Sequence, residues 1–269
     1  MKNGFADSIR RTFAIARNTV LEAIRNRAFL GMGIAAFGLV VSSIALSSLA
    51  VRDQAERVLV DFGLAATSLM EIVIAITMGV ILVFKEIDRK TFYLVLPKPI
   101  RRSEVIAGKF VGLLGVLGAS LLLMAAGWLI SLQVKGISIP AGVPQALLLV
   151  WAQAALITSV AIFFSSFASP VLSGVFTFGV FMVGSSVTVL QELMQARKGM
   201  LATPGPARLI AEGAVAVFPD LSVFNVGKEL ILRIPVTWEY VGASMLYCGF
   251  YCLFFLAIGA LVFQRRDFS

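Results

Sequence analysis

The chain has 269 residues, 59% of them hydrophobic and only 14% charged, with a mean hydropathy of +0.93 and a formal net charge of +8. A soluble domain carries about 25% charged residues, so a soluble enzyme is excluded as the main architecture and no nucleic-acid partner is expected. Histidine is absent, which removes the commonest acid–base group and metal ligand.

Residues 5–24 carry a helical period. Phe5, Ile9, Phe13, Ala16, Val20 and Ile24 fall within an arc of about 100°, while Arg10, Arg11, Arg17 and Arg25 fall outside it. This pattern suits a helix on an anionic membrane leaflet, apolar side down. A helix packed against a partner protein carries the same pattern. Residues 1–27 therefore read as a cytoplasmic amphipathic interfacial helix, and 28–269 as the transmembrane domain.

Six apolar windows follow, at 28–51, 62–84, 110–134, 145–167, 171–190 and 240–263. About 20 apolar residues cross a bilayer as a helix. The windows are continuous rather than alternating, which excludes a β-barrel. The expected fold is all-α, with six transmembrane helices. A cleaved signal peptide is not expected, because the first window is too long for an h-region.

Lys and Arg set orientation. With the N-terminus inside, inner segments hold fifteen bases and outer segments eight. Both termini are thus expected in the cytoplasm, as is the loop between the second and third windows. That loop, "KEIDRKTFYLVLPKPIRRSEVIAGKF", holds seven Lys/Arg around an apolar and aromatic cluster. No breaker occurs from Glu86 to Leu96, so the second span can extend beyond the membrane into a short further helix that Pro97 and Pro99 end. Ser103 is placed to cap the third span's helix, with Glu104 at its positive end. Aromatic clusters flanked by bases mark contact surfaces; folding back into the bilayer interface is the other use of such a cluster.

Inside the windows, Glu71 is the one acidic residue, expected near the outer third of the second span. Intramembrane carboxyls are functional candidates, and a bond to a neighbouring helix is the structural alternative. Gly108, Gly112, Gly115 and Ala119 form a smooth stripe at spacings of 4, 3 and 4, suited to packing within the bundle or to a dimer seam. Cys248 and Cys252 lack further soft donors and read as small buried hydrophobes. The segment 191–239 is expected outside, with a short helix between its prolines and Pro219; it could serve as a lid, a partner dock or a re-entrant hairpin. Trp238 and Tyr240 suit an interfacial belt.

No nucleotide loop is complete: Phe110 follows Gly108–Lys109, and Glu229 follows Gly227–Lys228, where a Ser or Thr is required. No nucleophile–base or paired-carboxylate set occurs in the windows. The chain is expected to be non-catalytic and to hold no cofactor of its own.

The order Glu86, Thr91, Leu94 to Leu96, Pro99 with Arg102, then Gly108–Lys109, resembles the signature of ABC-2 type permeases, the membrane subunits of ATP-binding-cassette exporters. The basic N-terminal helix with "NTVLEAIRNR", the six spans, the large external loop and the terminal "FQRRDF" extend the resemblance over the whole chain. The acid–Thr–Tyr run and "DFGLA", Asp61 to Ala65, are most similar to permeases grouped with copper-enzyme maturation systems of the NosDFY kind, although no Met cluster or His supports copper as cargo. The resemblance implies a coupling helix seated in a separate cytoplasmic ATPase, which would hold ATP and Mg. Thr91, Phe92, Tyr93 and Leu94 would be its buried anchors, with Arg89, Lys90 and Lys98 as a charged rim beside Glu86. It also implies a dimer of permeases in a bacterial inner membrane, exporting an unidentified substrate. Two alternatives stand beside export: an anchor that relays ATPase motion to an extracytoplasmic partner through 191–239, and an ATP-independent secondary transporter.

Overall fold

The computed structural model describes residues 3–49, 55–88, 102–196 and 205–265, and among them every regular element is helical. The amphipathic period becomes α1, Asn3–Ile24. After a break at Arg25–Asn26, the first window becomes α2, Arg27–Leu49. The next three windows become α3 (Ala55–Asp88), α4 (Arg102–Val134) and α5 (Val143–Ser165). The fifth window is α6 (Pro170–Ser185) followed by α7 (Val187–Gln195), bent by 42°. The segment before the last span holds α8 (Pro206–Val217), a 3-10 turn at Ser222–Phe224 and α9 (Gly227–Ile231), and α10 (Trp238–Arg265) closes the chain. The protein is a multi-pass membrane protein.

α5 is the centre of the bundle. Sixteen of its residues are buried, many of them alanines, and α3, α4, α6 and α10 pack around it. Small side chains let backbones approach closely where apolar lipid gives no hydrophobic drive to associate. A β-carbon at Gly79 of α3 would lie 2.8 Å from that of Ala161. Trp128 of α4 is fully buried over Gly63 and donates to the Leu59 carbonyl at 3.3 Å. α2 and α10 lie at the rim, each with only 17% of its apolar window buried, so most of their surface is left to lipid.

α3 and α4 are longer than their apolar windows. At 1.5 Å per residue, their 34 and 33 residues span about 51 and 50 Å, against a hydrocarbon core of about 30 Å. Gly79 packs on Ala161, four residues from the end of α5, whereas α3 runs nine residues further, to Asp88. The second span thus extends past α5, as its breaker-free sequence predicts, and α4 accompanies it. Along α3, Glu71 lies sixteen residues from Ala55 and seventeen from Asp88. Apolar windows stop at the first charge, while a helix continues through charged turns at the interface.

Three further boundaries differ from expectation. α4 begins at Arg102, so Ser103 lies inside its first turn rather than capping it. The fifth span is two helices, because Gly184, Ser185 and Ser186 weaken it locally: Ser186 Oγ donates back to the Met182 carbonyl at 2.8 Å, and Leu221 N donates to the Gly184 carbonyl at 3.0 Å. α7 extends to Gln195, into the segment assigned to the external loop.

The short helix expected before Pro219 is α8, with Pro206 at its first position, where a missing N–H costs nothing. Its 12 residues span about 18 Å, too short to cross. The chain turns at Pro219–Leu221 against Gly184, and α9 leads back to Arg233, which meets Glu56 at the start of α3 and Ser138 in the α4–α5 turn. Among the described residues of 191–239, α8 and the Ser222–Ile231 stretch form a pair of short helices bent by 59°. Six crossings remain: α2, α3, α4, α5, the bent α6–α7 pair and α10.

Candidate coupling site

The tips of α3 and α4 face a common end of the bundle, and the chain joining them, residues 89–101, lies outside the described residues together with Arg89, Lys90, Thr91, Phe92, Tyr93, Leu94 and Lys98. Glu86 is in the final turns of α3. What the structure describes is the platform on which that segment is mounted.

α1 forms one side of the platform. It runs parallel to α4 in a constant register: Ser8 meets Glu104, Thr12 and Ile15 meet Gly108, Ala16 and Thr19 meet Gly112, and Val20 reaches Gly115. A β-carbon at Gly108 would sit 2.8 Å from Ile15 Cβ and 2.9 Å from the Thr12 carbonyl. At Gly112 it would sit 2.7 Å from both the Ala16 carbonyl and Thr19 Cβ. These glycines are present because α1 backbone fills the space of a side chain. The smooth stripe therefore packs against α1 itself, rather than against another span, and Ala119 at its far end is exposed.

The apolar arc of α1 divides accordingly. Ala16 is buried on α4, with Thr19 and Ala23 beside it. Phe13 and Ile24 remain exposed at 68% and 51%, with Arg10 and Arg17 exposed near them. Phe5 and Ile9 belong to the same helix. Arg11, expected on the polar side, is half-buried and turned to Glu104, its Nε 3.6 Å from Oε2.

Glu104 is the hub of this contact. Only 8% exposed, it accepts a 2.7 Å hydrogen bond from the Ser8 hydroxyl as well as the Arg11 ion pair. One turn on, Lys109 is 4% exposed and its Nζ donates to the Leu82 carbonyl of α3. Burying an ammonium is costly unless its donors are used, and the bond ties α4 to the distal part of α3. Sequence reading placed Gly108 in the stripe but noted Lys109 only within a motif and Glu104 only as a helix-end charge; it missed Ser8 and Thr19. A signal was present: Thr12, Ala16, Thr19 and Ala23 repeat the 4, 3, 4 spacing of the stripe they meet.

α1, the end of α3 and the start of α4 are thus one clamped body. A push on the segment that joins α3 to α4 moves all three, and interfaces packed this closely shift as units rather than deform.

Within the membrane, Glu71 is fully buried and bonded to a neighbouring helix: Ser120 Oγ of α4 lies 3.1 Å from each carboxyl oxygen. One turn before Glu71, the Ser68 hydroxyl donates to Gln153 Oε1 of α5 at 3.3 Å, and Trp151 Nε1 donates to the Leu114 carbonyl at 3.2 Å. Cys248 and Cys252 are buried, free thiols packed on α5, with Cys248 Sγ 3.1 Å from the Ala152 carbonyl, as small hydrophobes would be. Ser173 and Thr177 of α6 also face inward.

At the opposite end, Glu56, Arg57, Pro140, Leu230 and Arg233 line a cavity of about 400 Å³ between α3 and α9. Arg233 has a positive φ of 55° and is held there by Glu56 and Ser138. Tyr240 donates to the Val223 carbonyl at 2.6 Å, and Tyr247 accepts from Asp220 N at 2.8 Å, so both fasten the turn between α8 and α9 to α10.

Six crossings, a bent pair of short helices before the last of them and a clamped platform on the second and third define a polytopic helical membrane protein. The chain belongs to the ABC-2 family of transporters: the model of that family, described as ABC-2 family transporter protein, matches residues 13–268. No curated protein matches the chain. Membership makes it a membrane permease of an ABC transporter, typically the non-catalytic subunit, and implies an ABC ATPase as partner.

Proposed function

We propose that this chain is the permease half of an ATP-driven exporter, paired with a second permease and served by separate cytoplasmic ATPase chains that hold ATP and Mg. The platform end faces the cytoplasm of a bacterial inner membrane, with both termini on that side. Residues 1–27 form a cytoplasmic-side helix packed lengthwise on α4, with Phe13 and Ile24 on its free side near the interface, and 28–269 the transmembrane domain. Glu86, Arg89, Lys90, Thr91, Phe92, Tyr93, Leu94 and Lys98 make the ATPase contact.

The observation that carries this reading is the clamp of α1, α3 and α4 by Glu104, Lys109 and the Gly108–Gly112 contact. A nucleotide-driven motor needs a stiff body joined directly to the spans it is to move. The clamp supplies one on both sides of residues 89–101. Closure of the ATPase pair then displaces α3 and α4 together and opens the space between protomers. Tyr93→Asp tests the contact: the ATPase is expected to be lost from the purified complex while the permease remains folded, and undiminished co-purification refutes the assignment.

A second reading is favoured by α8, whose Leu209, Ile210 and Val217 are 69–74% exposed: an anchor that passes ATPase motion to an extracytoplasmic protein at 191–239. Stimulation of ATPase activity by such a protein rather than by candidate lipids distinguishes it from export.

A further inference from the structure

Glu71 has no solvent exposure at the middle of α3. Its two carboxyl oxygens each lie 3.1 Å from Ser120 Oγ, which is itself 3.0 Å from the Leu117 carbonyl. A serine hydroxyl has one proton to give. Were Glu71 ionised, three acceptor oxygens would compete for that proton, and a full charge would rest on one neutral donor in the membrane interior. As a carboxylic acid, Glu71 gives its own proton to Ser120 Oγ, and Ser120 passes its proton to the Leu117 carbonyl. Two donors then meet two acceptors with no charge, and the proton positions follow from that balance.

Among the described residues, the elements around Glu71 place no charge beside it: α9 carries Lys228 and Glu229, but it meets α3 at Asp61 and Leu64. α5 and α6 contain no Asp, Glu, Lys or Arg. Those of α4 are Arg102, Glu104 and Lys109, the last eleven residues from Ser120. α2 has only Arg27 at its start, and α10 has Glu239 and Arg265 at its two ends. Along α3 itself the nearest are Asp61 and Lys85, ten and fourteen residues away.

We propose that Glu71 is a proton-binding site within the membrane span, a neutral acid whose proton pins α3 to α4. The pin opens when the Glu71 O–H bond breaks and its proton passes to water admitted between the helices, leaving a carboxylate that needs that water to remain. This opening step rests on the permease reading, because α3 and α4 flank the coupling segment. The binding of the proton does not.

Infrared spectroscopy of the full-length chain in lipid nanodiscs at neutral pH tests the site without any ATPase, so failure of the permease reading leaves the result intact. The wild type is expected to show the carbonyl stretch of a protonated carboxylic acid that is lost in Glu71→Gln. Ser120→Ala is expected to keep the band and move it to higher frequency, as the acid loses its acceptor. Coincident wild-type and Glu71→Gln spectra in the acid region overturn the proposal, and an unmoved band in Ser120→Ala overturns the pin. Should Glu71→Gln fail to fold, Glu71→Asp keeps a carboxyl and is expected to shift the band; an identical band overturns the assignment equally.

Discussion

The Ser8 hydroxyl and Glu104 Oε1 are 2.7 Å apart across 96 residues of chain. That bond, with Arg11 on the other carboxyl oxygen, fixes the N-terminal helix to the first turn of α4, beside the segment that joins α4 to α3. Because Glu104 is 8% exposed, its partners cannot be replaced by bulk water without opening the contact. Glu104→Ala is expected to lower stability by about 1–3 kcal/mol and to expose α1 to protease. Glu104→Gln, which keeps an acceptor for Ser8, is expected to lose less. Thermal unfolding with limited proteolysis of the two variants measures both effects.

The glycines of the stripe are not equivalent. A β-carbon at Gly112 collides with the Ala16 carbonyl, which belongs to backbone and cannot rotate away, whereas at Gly115 the nearest atom is Val20 Cγ2 at an ordinary 3.6 Å. Gly112→Ala is expected to cost about 1–3 kcal/mol through overpacking. Gly115→Ala is expected to be neutral, or to stabilise by up to about 1 kcal/mol through helix propensity. Comparing their unfolding temperatures separates a packing glycine from a tolerated one.

Arg233 holds a left-handed backbone just after α9, and its ion pair with Glu56 is half-exposed, at 56% and 48%. Exposed pairs contribute at most about 1 kcal/mol, while the positive φ itself costs a non-glycine residue about 1 kcal/mol. Arg233→Gly is therefore expected to be about 1 kcal/mol more stable than Arg233→Ala, although both lose the same side chain. Equal stability of the two variants would show that the backbone there is unstrained.

The orientation proposed for the platform has a direct check. Asn18 on α1 and Ser138 in the α4–α5 turn are both exposed and sit at opposite ends of the bundle. In a background with Cys248 and Cys252 replaced by Ala, Asn18→Cys is expected to resist membrane-impermeant thiol reagents in intact cells. Ser138→Cys is expected to react. The reverse pattern inverts the topology.

Sequence by itself determined what depends on a helix meeting its solvent: the number of crossings, the amphipathic period of α1, the overshoot of α3 past Lys85, and the short helix opened by Pro206. Each is a local count of apolar, charged or breaking residues against the thickness of a bilayer. The motif order around Gly108–Lys109 also carried the family. Only the tertiary structure decided which face of α1 is used, that Gly108 and Gly112 serve it, that Lys109 closes on Leu82, and that the segment before α10 turns at Pro219–Leu221 against Gly184. Inside a membrane lipid is as apolar as a leucine side chain, so hydrophobicity places helices in the bilayer without choosing their neighbours. That choice is made by shape and by the few polar groups that must find partners, and both become visible only when surfaces distant in the chain are set side by side.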